Sequence, residues 1–211
     1  MRIAVIAAQG KSGQAFVEAA LAAGHQVVAG IRGSNPFGRR PGLILRQCDA
    51  TDLSQVEELI VGCDAVVTMI GHVRGSRRRL QTEATTTVLE AMKRRRLTRL
   101  VSLTGTGARV KGDTPDLLDR VLNLLVTKVD PTRVQDGIAH LEVLQESGID
   151  FTVVRVLKLT NGRGGAFDLS EHGPAKPFVA RRDVALAVLD CLENNRFIGK
   201  FPVVSKHHPK R

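Results

Sequence analysis

The chain has no tryptophan and no tyrosine, and aromatic side chains, all phenylalanine, make up only 3% of its 211 residues. That scarcity removes most of the stacking platforms on which single-strand nucleic-acid grooves rely. It also excludes any chemistry in which a tyrosine hydroxyl donates the proton. Cysteine is sparse as well: Cys48, Cys63 and Cys191 are odd in number and form no CxxC pair, so neither a disulfide framework nor a zinc site is indicated. The three read as small buried hydrophobes. No stretch approaches the roughly 20 apolar residues needed to cross a bilayer, and residues 1–6 read as a strand rather than a cleavable signal. A cytoplasmic protein without a membrane partner is expected.

Acidic charge is in short supply. Lys and Arg total 31 against 21 Asp and Glu, a net charge of +10, which favours anionic partners such as phosphates, nucleotides or nucleic acid. With so few aromatics, nucleic acid is the least suited of these.

What is present is alternation. An apolar run over residues 3–8 is followed by glycines at 10 and 13, then by helical spacing of Phe16, Val17, Ala20 and Leu21. Further strands are expected at 27–31, 43–45, 65–70, 100–103, 151–156 and 201–204, and helices at 53–60, 80–95, 133–146 and 183–193. Strands alternating with helices predict an α/β fold, a Rossmann-type doubly wound parallel sheet, in one domain over 1–211. Residues 105–130 and 161–177 read as irregular pocket loops, and about 156–180 as a small substrate-side lobe.

The first turn reads Ala7-Ala8-Gln9-Gly10-Lys11-Ser12-Gly13, a GxxGxxG spacing with alanine at the first glycine. Between a strand and a helix, such a turn brings backbone amides and the helix dipole to a pyrophosphate. Gly10, Lys11, Ser12 and Gly13 are therefore candidate cofactor ligands. An ordinary strand-to-helix turn is the bland alternative. A P-loop is excluded, because Val5 stands where that motif needs its first glycine. An acidic residue at the end of the second strand suits the ribose of NAD, whereas arginine suits the 2′-phosphate of NADP. Arg32 stands there, so NADP(H) is expected over NAD. Arg39 and Arg40 read as solvated surface more readily than as phosphate ligands.

Several segments resemble the atypical short-chain dehydrogenase/reductase group, which includes NmrA-like proteins and the flavin reductase also called biliverdin reductase B. They are the glycine turn with Phe16-Val17-Glu18, Gly24-His25-Gln26-Val27 leading to Arg32, Cys48-Asp49-Ala50-Thr51-Asp52, Gly62-Cys63-Asp64-Ala65-Val66, and Glu146-Ser147-Gly148-Ile149-Asp150-Phe151 running on to Arg155. The resemblance implies that Asp49 and Ala50 touch the adenine. It places Met69, Ile70 and Gly71 along the adenosine ribose, Ser102, Leu103 and Thr104 beneath the nicotinamide, and Arg155 and Val156 beside it. Three departures matter. Alanine replaces the first glycine; Gly137 stands about where relatives carry the lysine of a Tyr-x-x-x-Lys pair; and Thr104-Gly105-Thr106 replaces a threonine-serine order. Thr104 is then the best hydroxyl candidate for catalysis. Two functions fit: an NADPH-dependent reductase of a small planar flavin or quinone acceptor, or a non-catalytic NmrA-like dinucleotide sensor acting on a protein partner.

The remaining candidates read more simply. His140 is expected to be a surface or satisfied histidine, His207-His208 part of a frayed basic tail, and Arg94-Arg95-Arg96 a helix C-terminal cap. Arg77-Arg78-Arg79, following the loop His72-Val73-Arg74-Gly75, are expected near the mouth of the site.

Overall fold

The computed structural model describes residues 1–73 and 75–207; Arg74 and His208 lie outside the described residues. In chain order the elements are β1 (Arg2–Ile6), α1 (Lys11–Ala22), β2 (Gln26–Ile31), β3 (Leu43–Gln47), α2 (Leu53–Leu59), β4 (Ala65–Thr68), α3 (Leu80–Arg95) and β5 (Arg99–Gly105). They continue with α4 (Leu117–Val129), α5 (Pro131–Gln145), β6 (Asp150–Val156), β7 (Leu159–Thr160), β8 (Phe167–Ser170), β9 (Val179–Ala180), α6 (Arg181–Glu193) and β10 (Val203–Lys206).

Eight strands form one sheet in the order β3-β2-β1-β4-β5-β6-β10-β8. Every pairing is parallel except the last, where β8 runs antiparallel to β10. The central strands β1, β2, β4, β5 and β6 are largely apolar and buried on both faces because helices cover both, while the edge strands β3 and β8 are partly exposed. Phe16, Val17 and Ala20 of α1 pack with Val184, Val188 and Leu192 of α6 on one face. On the other, Val56 and Leu59 of α2, Val88 and Met92 of α3, and Leu141 and Leu144 of α5 form a second core. Helix starts follow local chemistry: Asp52, Asp116 and Asp130 each accept a backbone N–H from the first turn of the helix they precede. The chain reverses direction across the sheet between β1 and β4, and in open α/β sheets ligands bind at such a switch, beyond the carboxyl ends of the strands.

Three regions differ from the sequence reading. The segment expected as a loop over 105–130 contains α4, and the one expected as irregular over 161–177 contains the edge strand β8. The basic tail is strand through Lys206, and the His207 ring reaches Asp168 at 2.8 Å. The α4 helix escaped notice because its polarity is reversed. Asp119 and Asn123 are its buried residues, while Leu117, Val121, Leu124 and Val129 face outward. Full burial of one such side chain is worth about 1.5–3 kcal/mol, so the apolar face of α4 contributes little to folding. Polar contacts hold the helix instead: Arg109 donates to both Asp119 oxygens, and Lys176 Nζ lies 2.6 Å from Asp116.

A candidate dinucleotide and acceptor cavity

A cavity of about 460 Å³ opens at the carboxyl edge of the sheet. Its walls are Ser12 at the start of α1, Met69 to His72 after β4, Leu103 to Ala108 at the end of β5, and Val156 to Leu159 after β6. Leu122, Asn123, Leu125 and Val126 of α4 and Arg133, Val134 and Gly137 of α5 close the far side.

The structure brings Ser12, Met69, Ile70, Gly71, Leu103, Thr104 and Val156 together at this cavity. The glycine turn lies beside it. Gly10 caps α1 with no side-chain hydrogen bond, and the first turn carries no acid, so the amide end of the helix is open to an anion. Gly13 is buried, and a Cβ there would lie 2.4 Å from the Ala7 carbonyl oxygen and 2.7 Å from Ala8 Cα. Ala7 has φ 59°, the left-handed region that glycine enters freely and alanine enters at a cost of about 1–2 kcal/mol.

Gln9, which sequence reasoning passed over, fastens this turn to the end of β2. Its Oε1 accepts the amides of Arg32 at 2.7 Å and Gly33 at 3.0 Å, while its carbonyl accepts Gln14 Nε2 at 2.6 Å. Arg32 is thereby placed beside the turn. Its guanidinium is more than half exposed and lies 3.9 Å from Asp49, a loose surface pair of little energetic weight. Asp49 is held below the ordinary carboxylate range first by the Thr51 amide and hydroxyl, with Arg32 and Arg77 adding to the effect. Ala50 is half-buried next to it. Arg77 donates to Thr51 Oγ1 at 2.9 Å, so this arginine reaches the segment expected to meet the adenine. Arg40 is taken up by Glu18 at 2.7 Å. Arg94 pairs with Glu57 and Glu90, and Arg96 closes α3 at φ 55°, as a helix end requires.

Two candidates fall elsewhere. Arg155 is fully buried behind the cavity wall: Nη1 and Nη2 grip Asp113 at 2.6 Å each, Nη1 reaches the Ala108 carbonyl at 3.1 Å, and Nε the Phe201 carbonyl at 2.7 Å. Burial pushes the Asp113 carboxyl up, but the Arg155 hydrogen bonds and the Val110 amide outweigh it and leave it below its ordinary value. Ser102 is buried beneath the strand end, its Oγ 2.8 Å from His140 Nε2. The family resemblance implies Ser102 beneath the nicotinamide and Arg155 beside it. Side chains alternate along a strand, which turns Arg155 from the face of Val156, while Ser102 shares the face of Thr104 but lies two residues deeper in the sheet.

His140 is completely buried between two hydroxyls, a satisfied histidine deeper than the sequence indicated. Thr85 Oγ1 donates to the Gln81 carbonyl, so at its 2.8 Å contact with His140 Nδ1 it must accept, leaving Nε2 to accept from Ser102. Burial disfavours the charged form and keeps the ring neutral, which fixes these directions.

At the cavity itself Thr104 is 7% exposed and donates to Gln81 Oε1 at 3.2 Å, while Gln81 Nε2 donates to the Leu103 carbonyl at 2.8 Å. A Cβ on Gly137 would lie 3.1 Å from the Thr104 hydroxyl, so α5 approaches β5 closely here. His72 was read only as part of a loop, yet it lines the cavity and its Nε2 lies 2.7 Å from Asp136. Asp136 is buried and also accepts the Gln81 and Thr82 amides at 2.8 and 3.0 Å. Those amides open α3, whose own cap residue Arg79 supplies no side-chain bond. Burial raises the Asp136 carboxyl, but the Thr82, Gln81 and His72 hydrogen bonds prevail and hold it ionised. An ionised carboxylate can only accept, so His72 Nε2 carries a proton.

The chain belongs to the NAD(P)H-binding family, whose model matches residues 7–195. This agrees with the atypical short-chain dehydrogenase/reductase resemblance read from the motifs. Solved structures with the same fold include a short-chain dehydrogenase/reductase of Veillonella parvula in complex with NADP, at TM-score 0.80 and 17% identity over 100% of this chain and 98% of that one. A candidate NADH-flavin reductase of Streptococcus pneumoniae matches at TM-score 0.78 and 20% identity over 98% of this chain and 100% of that one. An oxidoreductase of Lactococcus lactis matches at TM-score 0.80 and 15% identity over 98% and 91%. Likeness at these identities is likeness of fold. No curated protein matches the chain by sequence. Among the described residues no group of histidines, cysteines or carboxylates is arranged to hold a metal, and no helix is long and apolar enough to cross a membrane.

His140 yields a stability prediction. Burial lowers its pKa from 6.5 to about 4, so between those values the unfolded chain binds a proton that the folded chain does not. Stability from this group is complete above about pH 6.5 and is lost as pH falls toward 4, by about 3 kcal/mol in all. Urea unfolding between pH 7 and 4.5 is expected to show that decline, and a His140→Gln chain to show a flatter one. Parallel profiles for the two chains would contradict the buried neutral ring.

Proposed function

We propose that the chain binds NADP(H) across the glycine turn and reduces a small planar acceptor, a flavin or quinone, in the adjoining cavity. The observation that carries this reading is the placement of one open cavity at the sheet's switch point, next to an uncapped helix end and an exposed arginine. Family membership supports the dinucleotide, and Arg32 supports the phosphorylated form. In this reading Gly10 to Gly13 hold the pyrophosphate, Arg32 the 2′-phosphate, Asp49 and Ala50 the adenine, Met69 to Gly71 the ribose, and Leu103, Thr104 and Val156 the nicotinamide side. Residues 156–180 form the acceptor side of a single domain.

When bound, the reduced coenzyme supplies hydride; the chain supplies orientation and a route for the proton. Without tyrosine, the hydroxyl of Thr104 is a poor acid, and its hydrogen is already directed at Gln81. His72 is better placed. With Nε2–H held by Asp136, its Nδ1 is left to take up a proton and return it at the cavity wall. The three cysteines are unpaired thiols, which supports a reducing, cytoplasmic setting.

Purified protein mixed with NADPH and a panel of flavins and quinones is expected to consume the reduced coenzyme, followed by absorbance. His72→Gln is expected to slow that turnover by about 100-fold at unchanged NADPH affinity. Tight NADPH binding with no turnover of any acceptor would overturn the reductase and favour a dinucleotide-responsive regulator. Arg32→Glu is expected to weaken NADPH about 10- to 100-fold, the worth of a charge-assisted phosphate contact, with NADH little changed. Equal losses for both coenzymes would remove Arg32 from the specificity role.

A further inference from the structure

The α4 helix is built inside out. Asp119 is 1% exposed, whereas Leu117 is 78% exposed, Leu124 56% and Val129 84%. At 100° per residue, Leu117, Val121, Leu124 and Lys128 form one outward stripe, with Leu118 and Leu125 on one flank and Arg120 on the other. Of the carboxylates of this region, Asp113 and Asp119 are turned inward to Arg155 and Arg109, Asp116 pairs with Lys176 at the surface, and Asp130 caps the start of α5. Lys111, Arg120, Lys128 and Arg133 are exposed, and none has an ion-pair partner among the described residues. The surface is thus aliphatic, with cations outnumbering carboxylates around it, on a chain whose net charge is +10.

We propose that α4 is a docking element for an anionic lipid surface. Its aliphatic face enters the boundary between headgroups and acyl chains, and the cations around it lie against lipid phosphates. A leucine- and valine-rich helix face with basic flanks has the composition of interfacial helices that lie in the membrane plane. This is a peripheral contact, compatible with the lack of a membrane-crossing helix among the described residues. Lys128 separates this occupant from a second copy of the chain. In a two-fold pairing of α4 faces, Lys128, which stands within the aliphatic stripe, would be packed against the aliphatic side chains of the second copy, where an ammonium is costly. At a bilayer its stem lies along the apolar layer while the ammonium reaches the phosphates. Leu122, Leu125 and Val126 wall the cavity, so its apolar side then opens toward the lipid.

The test is vesicle flotation of the full chain, with phosphatidylcholine alone and with phosphatidylcholine mixed with phosphatidylglycerol. The protein is expected to float with the mixed vesicles, to stay down with the neutral ones, and to lose binding as salt is raised. Leu117→Gln with Leu124→Gln is expected to abolish flotation at unchanged thermal stability, since both side chains are exposed. Arg120→Ser with Lys128→Ser is expected to reduce it in part. Flotation that survives the leucine changes would mean that net charge alone draws the chain to the vesicle and would overturn the role of α4. Failure to float with the mixed vesicles would overturn the proposal outright; a sedimenting dimer dissociated by the leucine changes would then assign the face to a second copy. None of these readouts involves coenzyme turnover, so the proposal stands or falls apart from the reductase reading.

Discussion

The approach of α1 to β1 at Gly13 is the constraint from which the candidate site follows. With backbone oxygen and Cα atoms of Ala7 and Ala8 where a side chain would begin, the helix can start this close to the sheet only if residue 13 has no Cβ. That closeness aims the open amide end of α1 along the carboxyl edge of the strands, where the chain switches direction between β1 and β4. The left-handed backbone of Ala7 shows that the turn keeps a glycine-like geometry even with alanine in place. Gln9 then couples the turn to the end of β2, so that the amides of the turn and the backbone of Arg32 are held together.

The cavity is shaped by buried polar clamps as much as by apolar packing. The Arg155–Asp113 pair fastens the chain after β5 to β6 and to the segment leading into β10, and Arg109 with Asp119 fastens α4 to the chain after β5. Removing one partner of a buried pair such as Arg155–Asp113 strands the other, at a cost of about 3–5 kcal/mol, so this clamp fixes where the wall stands. Asp136 plays a comparable part on the opposite side, capping α3 from a different helix while holding His72 at the cavity. Gly137, its neighbour in the chain, lets α5 press against Thr104.

Much of this was legible in the sequence and some was not, for physical reasons. Apolar strand runs, the glycine turn and Arg32 at the end of β2 are local patterns, and local patterns survive in a single chain. Ser102 and Arg155 lie on strands that were correctly located, but helices cover both faces of the sheet, so neither face reads as solvent-exposed and the direction of a polar side chain is not encoded in the pattern. The His72–Asp136 pair joins residues 64 positions apart, and nothing near either one announces the other. Gln9 was passed over because an amide between two glycine-turn residues looks like filler until its two acceptor contacts are seen. The α4 helix was hidden by reversal: a helix whose polar residues face the protein does not display the expected core stripe.

A dinucleotide held by the Gly10–Gly13 amides and selected by Arg32 is the centre of the account. Isothermal titration calorimetry of the purified native chain with NADPH and with NADH tests it most directly. The account predicts saturable heat at one site per chain, with NADPH the tighter ligand. No heat from either coenzyme, or tighter binding of NADH, would contradict it.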